Sequence, residues 1–389
     1  NSLNEFLNYD NQEFVSYLTN KGFNVNHKSY SNYDGSLYSI TSTFNMRYLN
    51  FLIEDQIGQK VLHIPEKMIA ENTIMQNFKS AGYKIINIQK PFSPPVVDSL
   101  AVRVVVDSRY ERFLPKSDHP SVSIEHVGRI PGRHMATLAG EWGLSLHLQA
   151  SYQGGSSQYM LDFGFTPEII NRNLDLLDID LGRINGLILS HGHRDHFGGL
   201  SGFVVQHRTQ MRDDLSLYVG AETIFREKWT RDSDNELVSW GAVDRMTLNA
   251  EQIAPVCCDA PHTLDGAFTS GYIERTSFEK ITGGTMVESD DHFTAEEKRG
   301  KLVWDQHPDE HATCYIVKGR GLVVISSCGH VGLINTVKTA MAVSGIDKLH
   351  AVIGGFHLGM SPPDYIEHTV DALEALAPDV VLPMHCSGQ

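Results

Sequence analysis

Fourteen consecutive residues, Leu187 to Leu200, constrain this chain more than any other stretch. The run Leu187-Ile188-Leu189 is apolar and β-prone, and the six residues His191 to His196 that follow its Ser190 hold three histidines and an aspartate before Gly198-Gly199. Side chains two apart on an extended segment face the same way, so His191 and His193 can grip one ion. Asp195 and His196, past the bend, are placed to reach a second ion beside it. Imidazole nitrogen and carboxylate oxygen suit borderline metals such as zinc, and a paired centre can hold a bridging hydroxide. A strand, a turn through Gly-Gly and a helix from Gly199 to Gln206 are expected around this motif.

A chain of 389 residues with 41 % apolar content has room for two globular domains, and its longest apolar runs are strand-sized. No membrane span or secretory leader is visible. A net charge of −15 argues against nucleic acid or anionic membrane as partners, leaving a small-molecule substrate as the expectation; oligomeric state is not legible. Five cysteines, all after residue 256, form no disulfide framework, and a cytoplasmic setting is expected.

Residues 1–90 hold 13 of the 19 asparagines and 7 of the 14 tyrosines, a composition that marks a separate module. Helices over 11–22 and 72–82 and a strand over 84–88 make it an α/β fragment. A Pro-rich linker over 91–97 leads into a second domain, 98–389.

In that domain, strands are expected at 100–107, 144–148, 158–164 and 215–219, with a helix from Pro167 to Leu177 capped by Thr166. Residues 229–310 read as polar loops covering the site. A hairpin over 312–326 runs out at Cys328-Gly329-His330 before a helix over 331–343. A strand over 349–353 leads to Gly354-Gly355-Phe356-His357, and a helix over 363–376 and a strand over 379–383 deliver His385 and Cys386. Strands alternating with helices and leaving histidines at their ends describe an α/β enzyme with its site at one edge. His357 is a candidate substrate ligand or proton donor. His147, His207, His262, His292 and His307 show no partner in the spacing around them.

The run His191-Gly-His193-Arg-Asp195-His196 resembles the hallmark of the metallo-β-lactamase superfamily. Glu141-Trp142-Gly143, Cys328-Gly329-His330, Gly354-Gly355-Phe356-His357 and His385-Cys386-Ser387-Gly388 are similar to its dihydropterin-ribofuranosylaminobenzene phosphate synthase-like branch. The resemblance implies an αββα sandwich binding two divalent ions, zinc first, with iron and manganese compatible. It puts His191, His193 and either His330 or His311 on one ion, Asp195, His196 and His385 on the other, and Cys328 where relatives bridge with aspartate. The activity implied is metal-dependent hydrolysis of an ester, lactone, amide or phosphoester, with Asp195 orienting the hydroxide and His357 as acid. Two alternatives are a pterin-linked transferase, condensing a pterin diphosphate with a ribofuranosyl-aminobenzene phosphate through Arg129, Arg133 and Arg194, and a non-catalytic metal-binding interaction module.

Two departures from the branch stand out. Asp162-Phe163-Gly164 replaces Asp-Thr-Gly, which should put a large apolar group near the site. The chain also lacks a first methionine and stops at Gln389, so both ends are expected to be incomplete. Separately, Lys28 to Leu49 resembles the sulfatase and phosphoglycerol-transferase branch of the alkaline phosphatase superfamily, with Ser36 near its nucleophile. That family's metal-binding aspartate is missing from residues 1–90, which are therefore read as a non-catalytic appendage.

Overall fold

The computed structural model describes residues 92–111, 113–129, 131–288 and 302–388, together with the isolated Ser16. The chain divides into two compact units, and all described residues from Phe92 onward lie in the second, Lys90–Ser289 with Gly300–Gln389. Apart from Ser16, which is helical, the expected elements of the N-terminal module fall outside the described residues, as do Ser36 and His292.

The first half begins with β1 (Val96–Val97), β2 (Ser99–Val106), β3 (Ser145–Tyr152) and β4 (Gly155–Leu161). Helix α1 (Pro167–Leu177), β5 (Gly186–Leu189), the one-turn α2 (Arg194–Phe197), α3 (Leu200–His207) and β6 (Ser216–Val219) follow. The stretch 229–310, expected as loops, instead carries β7 (Lys228–Arg231), β8 (Leu237–Gly241), α4 (Arg245–Ala250), β9 (Ala254–Cys257), β10 (Phe268–Thr269), β11 (Met286–Glu288) and β12 (Leu302–Trp304). Strands of two to five residues are too short to show a period, which is why the sequence hides them. The chain closes with β13 (Thr313–Val317), β14 (Gly321–Ser326), α5 (Leu333–Ser344), β15 (Leu349–Gly354), α6 (Pro363–Ala375) and β16 (Val380–Pro383).

Two six-stranded sheets dominate, one ordered β2-β3-β4-β5-β6-β9 and the other β1-β13-β14-β15-β16 with β10 beside β13. A smaller sheet, β12-β11-β7-β8, stands apart. Strand β1 pairs in parallel with Ile316 and Val317, so the last two residues of the expected linker belong to the domain.

Side chains alternate across each sheet, and the alternation sorts the core into layers. Ile188 of β5, with Leu146, Leu148 and Leu161, packs against Tyr315, Val323, Ile325 and Ile353 of the other sheet. Their neighbours Leu187 and Leu189 turn outward onto Ile170, Leu174, Phe203 and Val204 of α1 and α3. On the far side Leu322, Val324 and Val352 meet Leu333, Val337 and Ala340 of α5. Helix, sheet, sheet, helix is the αββα sandwich. Each fully buried aliphatic side chain contributes roughly 1.5–3 kcal/mol.

Strands β4, β5 and β6 run parallel to one another, as do β14, β15 and β16. Their carboxyl ends open at one edge, where crevices in such sheets form. Among the described residues no helix is long and apolar enough to cross a membrane.

Candidate metal centre

Strand β5 ends at Leu189 and hands the chain to the Ser190–His193 loop, with His193 at the N-cap position of α2. That helix carries Asp195 and His196 inward, both buried. Gly198 and Gly199 adopt ordinary helical dihedrals, so a tight turn is not what they supply. A Cβ on Gly198 would come 2.1 Å from the Phe165 carbonyl oxygen, and one on Gly199 2.2 Å from that of Phe163. Glycine is required there because two backbones touch.

The opposite sheet supplies the rest from three adjacent strand ends: Cys328 and His330 after β14, His357 after β15, and His385 with Cys386 after β16. His330 Nε2 lies 3.2 Å from His191 Nε2, and the His193 ring stands 4.5 Å from that of His330. These three form one group of ligand atoms; Asp195, His196 and His385 form another. Asp195 Oδ2 is 3.2 Å from His385 Nε2 and 3.7 Å from His196 Nε2. Cys328 Sγ lies 3.3 Å from His196 Nε2 and belongs with His191 and His196 as well as with His385 and Cys386, placing it between the groups.

His311 goes elsewhere. Its Nε2 donates to the Leu189 carbonyl at 3.0 Å and its backbone N–H to Ser190 O, tying the start of β13 to the end of β5.

The donor set fits metal ions. Asp195 Oδ1 is buried without a hydrogen-bond partner, and buried polar atoms are rarely left so. Burial, reinforced by neighbouring imidazoles, holds His191, His193 and His330 well below the ordinary histidine range, leaving them neutral with lone pairs to offer. Burial also works against charge on His196, but Asp195 and Asp162 outweigh it and bring its pKa up to about 9. Asp195 is ionised: burial opposes this, but His196 and His385 prevail and hold its carboxyl far below the usual range.

A layer of polar residues holds the ligands. Asp162, at the end of β4 with φ +59°, accepts from Ser190 N and Oγ at 2.8 Å each and from His196 Nδ1 at 2.7 Å. Phe163 turns its ring away, 5.5 Å from Phe203 in the helix-side core, so the expected bulk beside the site is absent. Thr166 sits at the N-cap of α1 but does not cap it. Glu141 accepts instead from Phe165 N at 2.8 Å and from Thr166 N at 3.0 Å.

His307, read from sequence as isolated, stacks on His330 at 4.4 Å and stands 5.0 Å from His193. It belongs to Asp305-Gln306-His307-Pro308-Asp309-Glu310-His311, whose titratable members are all buried. Asp305 and Asp309 pair with buried Lys228, and Asp309 also accepts from Gly192 N at 2.8 Å. Glu310 accepts from His330 N and Val331 N at 2.9 and 2.8 Å. The signal was there: five acids and histidines in seven residues, denser than the four in six of the opening motif. His357, half-buried, reaches the rim with its ring 4.4 Å from His330. Arg133 bonds the Leu176 carbonyl, and exposed Arg194 lies 5.5 Å over the Phe165 ring, so these two do not converge on a phosphate pocket.

Residues 152–210, which include β4, β5 and the whole histidine motif, match the family model described as metallo-beta-lactamase superfamily. That segment of the chain is therefore similar to the metallo-beta-lactamase superfamily. A curated relative from Methanocaldococcus jannaschii, 7,8-dihydropterin-6-methyl-4-(beta-D-ribofuranosyl)-aminobenzene-5'-phosphate synthase, is 27 % identical over 281 residues, covering 68 % of this chain and 90 % of the relative. An uncharacterized protein of the same organism is 25 % identical over 245 residues, 60 % of this chain and 80 % of its own length. Among solved structures, a metal-dependent hydrolase of the beta-lactamase superfamily superposes with a TM-score of 0.54 at 21 % identity, over 75 % of this chain and 90 % of that one. That likeness concerns the metallo-β-lactamase fold.

Proposed function

We propose that this protein is a metal-dependent hydrolase acting on a small ester, lactone, amide or phosphoester. One observation carries the reading: buried ligand atoms from both sheets converge while Asp195 Oδ1 lacks a hydrogen-bond partner. His191, His193 and His330 would hold one divalent ion, and Asp195, His196 and His385 a second. Such a pair supplies a water-derived nucleophile at neutral pH and Lewis acidity toward the attacked oxygen. Asp195 orients the attacking water. His357, the half-buried histidine of the cluster, is placed to give the leaving group its proton. Zinc best matches a histidine-rich set, with iron and manganese as the other candidates.

The test is turnover of a panel of β-lactams, lactones, phosphodiesters and phosphotriesters by the full-length protein, with and without chelator. Chelator-sensitive turnover is expected, and His357→Ala should lower kcat about 10²–10⁴-fold at unchanged metal content. Hydrolysis that persists after the metal has been stripped would refute the reading.

A second reading, pterin-linked synthesis, is favoured by the similarity across 90 % of the curated synthase. Product formed from a pterin diphosphate and a ribofuranosyl-aminobenzene phosphate, with no hydrolysis anywhere in the panel, would decide for it.

A further inference from the structure

Cys386 has no part in the ligand sets above, yet its sulfur lies 3.3 Å from that of Cys328. We propose that Cys386 and Cys328 are both thiolate ligands of the second ion position, making it a mixed sulfur, nitrogen and oxygen site. The proposal rests on the metal-centre reading and adds the ligand chemistry that selects the ion.

The spacing carries the argument. With Asp195, His196 and His385 the two cysteines make five donors, and two donors bound at about 2.0–2.3 Å to one five-coordinate ion lie roughly 2.8–4.0 Å apart. Cys328 Sγ to Cys386 Sγ is 3.3 Å, Cys328 Sγ to His196 Nε2 3.3 Å, and Asp195 Oδ2 to His385 Nε2 3.2 Å. Cys328, His385 and Cys386 also form a compact group of ligand atoms by themselves. The fold makes room for the second sulfur: a Cβ on Gly355 would come 2.8 Å from Cys386 Sγ. Cys314 shows the contrast, since it is buried in the apolar layer beneath α5 with no such neighbours. Sulfur donors favour zinc, cobalt and cadmium over magnesium and manganese.

The experiment loads the full-length protein with cobalt(II) and records X-ray absorption and the near-ultraviolet thiolate-to-cobalt band. Sulfur at about 2.3 Å from the metal is expected. Cys386→Ser should weaken the band by roughly half, because one of two thiolates is lost, while Cys257→Ser, at an exposed cysteine far along the chain, should leave it unchanged. Two bound equivalents with only nitrogen and oxygen around them would overturn the thiolate assignment and leave the metal centre standing. So would a Cys386→Ser band equal to wild type. A protein that takes up no cobalt would overturn both. The absorption measurement on wild type needs no variant, so a folding defect in Cys386→Ser cannot hide the answer.

Discussion

Asp162→Asn is the substitution that most directly tests how this site is held. An ionised carboxylate only accepts hydrogen bonds, so the 2.7 Å contact to His196 Nδ1 fixes the proton on Nδ1 and leaves Nε2 free to bind metal. The same carboxylate takes the Ser190 hydroxyl proton at 2.8 Å. Ser190 Oγ must then accept from His191 Nδ1 at 2.9 Å, which frees His191 Nε2 as well. One carboxylate therefore sets the tautomer of a histidine in each ligand group. Asparagine has the same shape, but its amide donates where Asp162 Oδ2 accepts, and both tautomers are driven the wrong way. Changes of this kind cost 10–100-fold in affinity, about 1.4–2.7 kcal/mol per ion. Chelator competition on the full-length protein is the assay, with Ser190→Ala as the partner variant that disturbs only the His191 arm. Equal affinity of wild type and Asp162→Asn for both ions would refute the argument.

Three further outcomes are expected. Gly199→Ala should lower the melting temperature sharply because its Cβ meets the Phe163 carbonyl at 2.2 Å, whereas Gly284→Ala, with open space around it, should change little; equal effects in thermal denaturation would sink the close-contact explanation. Lys228→Met leaves Asp305 and Asp309 buried without their cation and should cost about 3–5 kcal/mol in urea unfolding, a loss that a neutral result would exclude. Burial pushes the Glu310 carboxyl up to about 7, against the pull of its backbone N–H donors. The folded chain holds this proton more tightly than the unfolded chain does, so the stabilisation is complete below about pH 4.5 and is lost as pH rises through 7, roughly 3 kcal/mol in all. Unfolding of metal-free protein across that window should show the decline in wild type and lack it in Glu310→Gln.

What the sequence discloses is what neighbours in sequence determine. His191 to His196 announce themselves because four potential ligands fall within one strand end and one helical turn. The histidines at 330, 357 and 385 are visible because each follows an apolar run that reads as a strand. The alternation of Leu187, Ile188 and Leu189 already separates the two faces that the layers later use. Contacts between distant segments are another matter. Glu141 accepts from Thr166, just ahead of α1, from 25 residues away, and Cys386 meets Cys328 across 58. No local period encodes either pairing. Apart from His311, the run from Asp305 to His311 reads as a polar loop before β13, although every titratable member is buried.

That run explains why the centre can straddle two sheets. Asp309 grips the His191–His193 loop through Gly192 N–H, His311 grips the end of β5 through Leu189 O, and Glu310 grips His330 through its backbone N–H. Three consecutive acceptors and donors on one short segment thus fix both halves of the ligand set relative to each other. Other strand ends at the site are not relaxed. Asp162, His357 and His385 have φ of +59°, +47° and +52°, a region that costs a non-glycine residue of order 1 kcal/mol or more. Such conformations persist only where the surroundings over-determine them. Here the surroundings are the apolar layer of Ile188, Ile325 and Ile353 behind the site and the buried polar clamp beside it. The hydrophobic core fixes where the strands end, and the 305–311 segment fixes the His191–His193 loop and His330 against each other.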